Sequence, residues 1–242
     1  MKSHGKLASG NMLDLFSNSY PGRGIVLGKD SHGNAIQVYW IMGRSENSRN
    51  RILSANGERV FTEAADPKKM KDPSLIIYNA MRSKHRYHVV SNGCQTDPIL
   101  TAIMSHHSGI MGTLNRFQYE PDSPNFTPRI TGMCRMGHKY PFVLVMLRKS
   151  PFDNSCERFC FEYEEIPKGF GYYITTYQGD GDPLPPFRGE PRLLPLAGDL
   201  EEIATQYWGT LNQDNIVSLV VRSISETDIV NTKIINKYEK VS

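Results

Sequence analysis

Apolar residues in the first half of the chain cluster in short segments separated by polar turns. GRGIVLG and AIQVYWIMG are rich in β-branched and aromatic residues, and KDSHGN between them has the Ser, Gly and Asn of a hairpin turn. Three similar segments follow, with DPKKMKDP and SKHR as polar loops between them: RVFTEA, SLIIYNAMR and YHVVSNG. This pattern predicts that the first half is mostly β-strand.

The spacing of apolar residues along the sequence changes within the segment CQTDPILTAIMSHHSGIMGTLNRFQYE. Its apolar positions fit a 3.6-residue repeat: Ile99, Ala102, Ile103, Leu114 and Phe117. We expect Asp97 to cap this helix and Pro98 to occupy its first helical position. Gly109 and Gly112 indicate that the helix is broken in two.

The second half returns to strand-like segments. Four are separated by loops that include GHKYP and PKGFG: ITGMCRM, YPFVLVMLRK, RFCFEYEEI and GYYITTYQG. A second helix is predicted by Asp199 ahead of LEEIATQYWGTL. We predict closing strands at NIVSLVVRSIS and DIVNTKIINKY. A surface loop is predicted for the Pro-rich stretch DPLPPFRGEPRLLPLAG. Because strict βα alternation is missing, we predict an α+β layered domain of antiparallel strands.

Composition narrows the function classes. The 242 residues are 39% hydrophobic and 22% charged, which suits one domain with a sizeable core. A net charge of +3 is too small for a nucleic-acid-binding face and favours a small anionic ligand. The longest apolar run, Phe142 to Leu147, is too short to span a bilayer, and MKSHGKLASGN lacks the apolar core of a signal peptide. We therefore expect a cytoplasmic protein with neither a nucleic-acid nor a membrane partner.

The familiar signatures of metal, cofactor and hydrolase sites are missing from the sequence. There is no P-loop, GxGxxG, HExxH or GxSxG, and the one close cysteine pair, CERFC, lacks the second pair that a zinc site needs. Four polar clusters remain at predicted loops: GRSENSRNR, YNAMR, SNGCQTD and QYEPDSPNFTPR. Each taken alone is explained as a solvated loop or turn. The backbone N–H groups at the predicted helix start in SNGCQTD also favour an anion there.

Taken together and in order, these clusters resemble the archaeal-type IMP cyclohydrolase family. The resemblance rests on six segments: YPGRGIVLG (20–28), the RS and NR of 44–51, DPSLIIYNAMR (72–82), VVSNGCQTD (89–97), QYE with NFTPRI (118–130) and YYITTYQ (172–178). It implies one domain over 20–242 behind an extension over 1–19. The implied fold is a four-layer αββα sandwich of antiparallel sheets, similar to the N-terminal nucleophile hydrolases.

The resemblance also implies an activity: 5-formamidoimidazole-4-carboxamide ribonucleotide closes to IMP with loss of water, without a cofactor or metal. It gives the catalytic roles to Arg51, Tyr78 and Glu120. A guanidinium and a phenol can stabilise charge on the formyl oxygen, and a carboxylate can move the amide proton. The expected substrate-binding residues are Arg23, Asn50, Asn92, Thr96, Asp97, Thr127 and Arg129.

The division of roles among those binding residues stays open. Arg23, Arg129 and the SNGCQTD turn are all candidates for the phosphate, whereas Asn92, Thr96 and Asp97 could instead contact the carboxamide or ribose. This chain has about two extra residues within 46–49 relative to the family motif. In one alternative that insertion displaces Arg51, and the protein is a non-catalytic purine-nucleotide-binding relative. In another it is an amide hydrolase of the N-terminal nucleophile type. A homo-oligomer is left open.

Overall fold

Strands dominate the computed structural model, which describes residues 2–241. Its thirteen described strands are β1 Gly24–Lys29, β2 Ala35–Met42, β3 Ile52–Asn56, β4 Arg59–Glu63, β5 Asn79–Lys84, β6 Tyr87–Ser91, β7 Arg129–Arg135, β8 Phe142–Lys149, β9 Cys156–Tyr163, β10 Phe170–Thr175, β11 Arg192–Pro195, β12 Ile216–Ile224 and β13 Val230–Asn236. They form two sheets, ordered β11-β10-β1-β2-β12-β13 and β3-β4-β5-β6-β7-β8-β9, in which the paired strands run antiparallel. The predicted α+β class with antiparallel sheets is confirmed.

The two sheets face each other across a shared hydrophobic core. On β8, Phe142, Leu144 and Met146 point into this core. The alternate residues of the strand, including Val143 and Val145, pack on the opposite face beneath helices. Because successive side chains of a strand point to opposite faces, burial of both faces produces the unbroken apolar run FVLVML.

Short helices cover the outer faces of the sheets. The helices are α1 Lys2–Ser17, α2 Glu46–Arg49, α3 Thr96–Met104, α4 Ile110–Leu114 and α5 Leu200–Thr210, with a 3₁₀ turn at Pro67–Lys69. α1 and α5 pack on the first sheet, and α3 and α4 pack on the second. This arrangement is consistent with a sandwich. Within residues 2–241 no helix is both long and apolar enough to cross a lipid bilayer.

α5 begins where the sequence predicts it. The Asp199 carboxylate accepts hydrogen bonds from the backbone N–H groups of Glu201 and Glu202, each 2.9 Å long. The Glu202 carboxylate in turn accepts from the Asp199 N–H at 2.9 Å, which completes a capping box. On the inner side of α5, Tyr207 packs against Trp40 of β2. Local capping and tertiary packing therefore both stabilise α5.

The predicted start of the other helix was wrong by two residues. Gln95 is the N-cap of α3, so Asp97 and Pro98 lie within its first turn. The Asp97 carboxylate is instead bonded to Asn79 and Arg82 of β5, so it is held by the sheet. The break in the helix is confirmed, since α4 starts after Gly109.

Helix α1 and strand β11 were not predicted, because contacts between residues far apart in the chain stabilise them. α1 lies within the polar 1–19 segment, where Asn11 donates to the Leu193 carbonyl of β11 at 2.8 Å. Arg192 of β11 donates back to Asn11 Oδ1 at 2.6 Å and also binds Asp14. β11 itself lies inside the Pro-rich stretch expected to be a loop. β3, at Ile52–Asn56, was also missed.

Candidate active site

Strand ends from both sheets meet at one end of the sandwich. The first residue of β1, Gly24, pairs with Trp40 near the end of β2 and with Thr175 at the end of β10. The segment before β1 therefore lies beside the segments that follow β2 and β10. The facing sheet adds the segment that precedes β3 and the loop that precedes β7.

These segments enclose a cavity of about 340 Å³. The residues that line it are Tyr20, Arg23, Met42, Arg44, Ser45, Asn47, Ser48, Arg51, Asp72, Leu75, Ile76, Glu120, Asp122, Asn125, Thr127, Tyr177 and Leu184. Four of the residues predicted to act in catalysis or binding are among them: Arg23, Arg51, Glu120 and Thr127. The cavity is of the size that small-molecule sites usually have.

Glu120 lines this cavity and keeps one carboxylate oxygen without a partner among the described residues. The residue is 2% exposed, and its Oε2 accepts a hydrogen bond of 2.9 Å from Arg23 Nη2. Its Oε1 is buried and has no hydrogen-bond partner among residues 2–241, and the nearest Arg129 nitrogen is 3.9 Å away. A hydrogen bond of 2.8 Å from the Glu120 N–H to the Thr127 carbonyl holds the backbone in place. A buried carboxylate oxygen without a donor is costly, which points to a ligand at this position.

Arg51 lines the same cavity and keeps one guanidinium nitrogen without a partner among the described residues. It is 1% exposed, its Nε donates to the Ser48 carbonyl at 2.8 Å, and its Nη2 donates to the Met42 carbonyl at 3.4 Å. Its Nη1 is buried and unpartnered within the described chain. The extra residues of the Arg-rich stretch fold into α2, which Ser45 caps by accepting from the Ser48 N–H at 3.2 Å. Arg51 therefore still lines the cavity.

Burial and neighbouring charges shift the pKa values of these groups. Burial raises the pKa of Glu120 above its usual value, although the nearby guanidinium groups of Arg23 and Arg129 oppose the shift. Burial lowers the pKa of Arg51, partly offset by neighbouring tyrosines. Burial would also lower the pKa of Arg23, but the Glu120 carboxylate and the tyrosines Tyr78, Tyr177 and Tyr39 together outweigh it and raise that pKa well above the usual value. The site thus combines fixed positive charge with a carboxyl group that takes up a proton more readily than an exposed one.

Tyr78 lies beside the cavity in the core between the sheets. Its hydroxyl is 2.6 Å from the Tyr39 hydroxyl of β2, and it lies near Arg23 and Arg51. It is 7% exposed and is not among the residues that line the cavity. The catalytic role predicted for Tyr78 therefore depends on its hydroxyl proton, because the rest of the side chain provides no broad surface for contact with a substrate.

A further group of hydrogen-bonded polar side chains, centred on Thr127, lies in the cavity wall. The Thr127 hydroxyl contacts both the Asp122 carboxylate and the Tyr177 hydroxyl, and its backbone N–H donates to Asp122 Oδ1 at 2.7 Å. Burial raises the pKa of Tyr177 to about 12, with Arg23 opposing the shift, so its phenol stays protonated at neutral pH. Tyr20 stacks on Tyr177 with ring centroids 6.0 Å apart. Sequence reasoning did not select Asp122, Tyr20 or Tyr177, although all three lie in or between the segments that carry the family resemblance.

The three arginines of GRSENSRNR have different roles. Arg44 lines the cavity, pairs with Asp180, donates to the Gly181 carbonyl at 3.0 Å and lies over the Tyr20 ring at 5.0 Å. Arg49 donates to the Gly43 carbonyl at 2.9 Å and to Asn215 Oδ1 at 3.2 Å, so it anchors the turn. Only the first and last arginines of the stretch therefore face the cavity.

The SNGCQTD turn uses its side chains to hold the loop before β7. Asn92 is fully buried, accepts from the Ile130 N–H at 2.8 Å and donates to the Pro128 carbonyl at 2.9 Å. Thr96 is fully buried and contacts the Ser91 hydroxyl. Neither side chain lines the cavity, and the start of α3 does not line it either.

Three more of the predicted binding residues lie away from the cavity surface. Asn50 donates to the Asp66 carbonyl at 2.8 Å and accepts from the Asp66 N–H at 2.7 Å. Asp97 is held by β5, as described above. Arg129 contacts Glu120 at 3.9 Å and donates to Gln95 Oε1 at 3.1 Å, so it supports the carboxylate without lining the cavity.

Chemically, the cavity brings a buried cation donor and a carboxyl group of raised pKa into one enclosed space. Such a pair can stabilise negative charge on a bound oxygen and can move a proton to or from a bound nitrogen. Across residues 2–241 the structure has no group of three His, Cys, Asp or Glu side chains that could hold a metal ion.

Comparisons with known proteins agree on one family. The family described as IMP cyclohydrolase-like protein matches residues 20–228. A protein named IMP cyclohydrolase from Methanopyrus kandleri is 32% identical over 115 residues, which cover 46% of this chain and 57% of that protein. One of the same name from Methanococcus maripaludis is 28% identical over 163 residues, 66% of this chain and 75% of the relative. The first match thus spans little more than half of its relative. The family match covers most of the residues, and this chain belongs to the IMP cyclohydrolase-like protein family.

Proposed function

We propose that this protein is an IMP cyclohydrolase of purine biosynthesis, which closes 5-formamidoimidazole-4-carboxamide ribonucleotide to IMP with loss of water. One observation carries the proposal: Arg51 and Glu120 line the same cavity, and among residues 2–241 each keeps one buried side-chain atom, Arg51 Nη1 and Glu120 Oε1, without a hydrogen-bond partner. A substrate that develops negative charge on one atom and releases a proton from another would satisfy both. Membership of the family supports the same reaction.

In the first step the carboxamide nitrogen attacks the formyl carbon of the same molecule. A carbon–nitrogen bond forms, the nitrogen gives a proton to the Glu120 carboxylate, and the formyl oxygen becomes negative. The Arg51 guanidinium stabilises that oxygen, with the Tyr78 hydroxyl as a second donor. Holding the two groups in contact removes much of the entropic barrier of ring closure.

In the second step the same oxygen leaves as water. It receives one proton from Glu120 and a second from the former formamide nitrogen, and the carbon–oxygen bond breaks as a carbon–nitrogen double bond forms. The raised pKa of Glu120 makes its carboxylate a better proton acceptor than an exposed one, and the protonated group then serves as the acid of this step. Arg23, which is ion-paired with Glu120 at 2.9 Å, keeps the carboxylate oriented throughout.

The proposal extends to the fold and the remaining parts of the site. Helices on the outer faces of two packed sheets support a four-layer αββα sandwich of the kind found in N-terminal nucleophile hydrolases, in a single domain over 20–242. Arg23 and Thr127 are the substrate-binding candidates that line the cavity. A cytoplasmic location and a homo-oligomeric state stay predictions.

The direct test is turnover. Purified protein without added metal is incubated with the formylated ribonucleotide, and IMP formation is followed by absorbance. We expect turnover well above that of heat-denatured protein. Calorimetry showing tight IMP binding without turnover would favour the non-catalytic relative, and an intact mass showing cleavage to an internal Cys, Ser or Thr would favour the amide hydrolase.

A further inference from the structure

The contact between Tyr39 and Tyr78 joins the two sheets directly behind the cavity. Tyr39 projects from β2 of the first sheet, and Tyr78 immediately precedes β5 of the second. Their hydroxyl oxygens are 2.6 Å apart. The Tyr78 backbone is fixed by Thr62, since each residue's N–H donates to an oxygen of the other at 2.9 Å. The phenol pair is thus built on two rigid elements.

The two hydroxyls differ in their surroundings. Tyr39 is 0% exposed, and among residues 2–241 its hydroxyl has one hydrogen-bond partner, the Tyr78 hydroxyl. Tyr78 retains 7% exposure. Burial raises the pKa of Tyr39 well above its usual value, so Tyr39 keeps its proton at any pH where the enzyme works.

Only one proton can lie between two hydroxyl oxygens. If the Tyr78 proton occupied that position, the Tyr39 proton would point into an enclosed core without an acceptor, which is costly for a buried hydroxyl. With the Tyr39 proton between them, that cost is avoided. The Tyr78 proton is then turned away from Tyr39 and toward the more exposed side.

Positively charged side chains around the tyrosine pair limit which groups can accept the Tyr78 proton. The guanidinium groups of Arg23 and Arg51 lower the pKa of Tyr39 against the effect of its burial, so both positive charges lie near the pair. Those groups are donors and cannot accept the Tyr78 proton. The Tyr78 proton therefore stays available to an acceptor beside Tyr78.

We propose that Tyr39 is a positioning residue: it donates to the Tyr78 oxygen and so fixes the Tyr78 hydroxyl as a donor to the oxygen that becomes negative during ring closure. This inference rests on the proposed function.

The test is a double-mutant cycle on turnover. Tyr39→Phe removes one buried hydroxyl, and we expect kcat to fall about ten-fold, the value of one well-placed hydrogen bond, with KM within about two-fold of wild type. In a Tyr78→Phe background, Tyr39→Phe should change kcat by less than about two-fold, because its effect passes through Tyr78. Equal losses in both backgrounds would overturn the inference.

Tyr207→Phe is the matched control. The Tyr207 hydroxyl is also in the core and donates at 2.9 Å to the Pro195 carbonyl, away from the cavity. We expect that variant to keep wild-type kcat, and a loss equal to that of Tyr39→Phe would also overturn the inference. Wild-type turnover is measured first: its absence contradicts the proposed function and the inference together, whereas wild-type turnover with an unaffected Tyr39→Phe contradicts the inference alone.

Discussion

Two buried polar clusters lie between the same two sheets, and they differ in how completely their hydrogen bonds are satisfied. At the cavity, Arg51 and Glu120 each have one side-chain atom that finds no hydrogen-bond partner in the described part of the chain. On β12, opposite Gln37 of β2, all three side-chain nitrogens of Arg222 donate, to Thr232 Oγ1 at 3.3 Å, Ser83 Oγ at 2.9 Å and the Glu58 carbonyl at 3.2 Å. Both clusters bury an arginine completely.

His88 completes the second cluster. Its Nδ1 lies 2.9 Å from the Ser83 hydroxyl, and its Nε2 lies 2.8 Å from an Asp228 oxygen. This Asp–His–Ser chain has the partners of a catalytic triad, but the Ser83 hydroxyl is buried and already accepts from Arg222. The difference teaches that residue types alone do not mark a site. Unsatisfied polar atoms that face a cavity indicate a ligand, and satisfied ones indicate structure.

The largest expected effect is loss of turnover on changing Glu120. Glu120→Gln keeps an oxygen for Arg23 but cannot carry a proton, so kcat should fall by about 10²–10⁴-fold. Because burial disfavours the charged carboxylate, the melting temperature should not fall. Glu157→Gln is the control, since Glu157 also binds an arginine, Arg148, at 2.7 Å but lies outside the cavity. A large drop in melting temperature with Glu120→Gln would give Glu120 a structural role.

Replacing each buried arginine by methionine compares the clusters directly. Arg51→Met should lower kcat by about 10²–10³-fold and lower the stability less than Arg222→Met does, because Arg51 donates to two protein acceptors and Arg222 to three. Arg222→Met should leave kcat nearly unchanged and lower the free energy of unfolding by about 2–3 kcal/mol, because buried acceptors lose their donor. Urea unfolding and steady-state kinetics of both variants measure this contrast, and the reverse pattern would refute it.

Acid should affect the second cluster through His88. Burial lowers the pKa of His88 below its usual 6.5 and Arg222 adds to the shift, while Asp228 and Glu58 oppose it. Below pH 6.5 the unfolded chain therefore takes up a proton that the folded protein resists, so this contribution to stability is lost as the pH falls. The free energy of unfolding, measured by urea between neutral and mildly acidic pH, should decline less in His88→Gln than in wild type. The exposed-residue variant His107→Gln should follow wild type.

The smallest effect is expected at Tyr177. Tyr177→Phe removes a phenol that lines the cavity and contacts the Thr127 hydroxyl. If the phenol contributes only to substrate binding, KM should rise several-fold, which is the effect expected from the loss of one neutral hydrogen bond. The kcat should then stay near wild type. Steady-state kinetics would show a fall in kcat instead if the phenol takes part in the chemical steps.

Much of the fold follows from local sequence patterns. The run FVLVML predicts a strand, and Asp199 ahead of an amphipathic segment predicts α5, because strand period and capping are properties of neighbouring residues. α1 could not be found in this way. Its segment carries Gly5 and Gly10 and little apolar surface, and its contacts come from Asn11 with Arg192 and Leu193, far along the chain.

The site was predicted unevenly for a related reason. The family resemblance identified Arg51, Glu120, Arg23 and Thr127, which the structure brings to one cavity. The same motifs also supplied Asn92 and Thr96, whose polar atoms are used inside the SNGCQTD turn. A motif contains the residues that hold a loop as well as those that face a ligand, and sequence spacing does not separate the two.

The sequence by itself determined the α+β class, the strands whose two faces are buried, the capped late helix and membership of the family. Only the tertiary structure decided which polar side chains are satisfied within the protein and which are left open to the cavity. Arg51 and Arg222 are both buried arginines, and the sequence alone does not distinguish them. Hydrogen-bond satisfaction depends on atoms contributed by strands far apart in the chain, and the register that aligns those strands is set by packing of the two sheets.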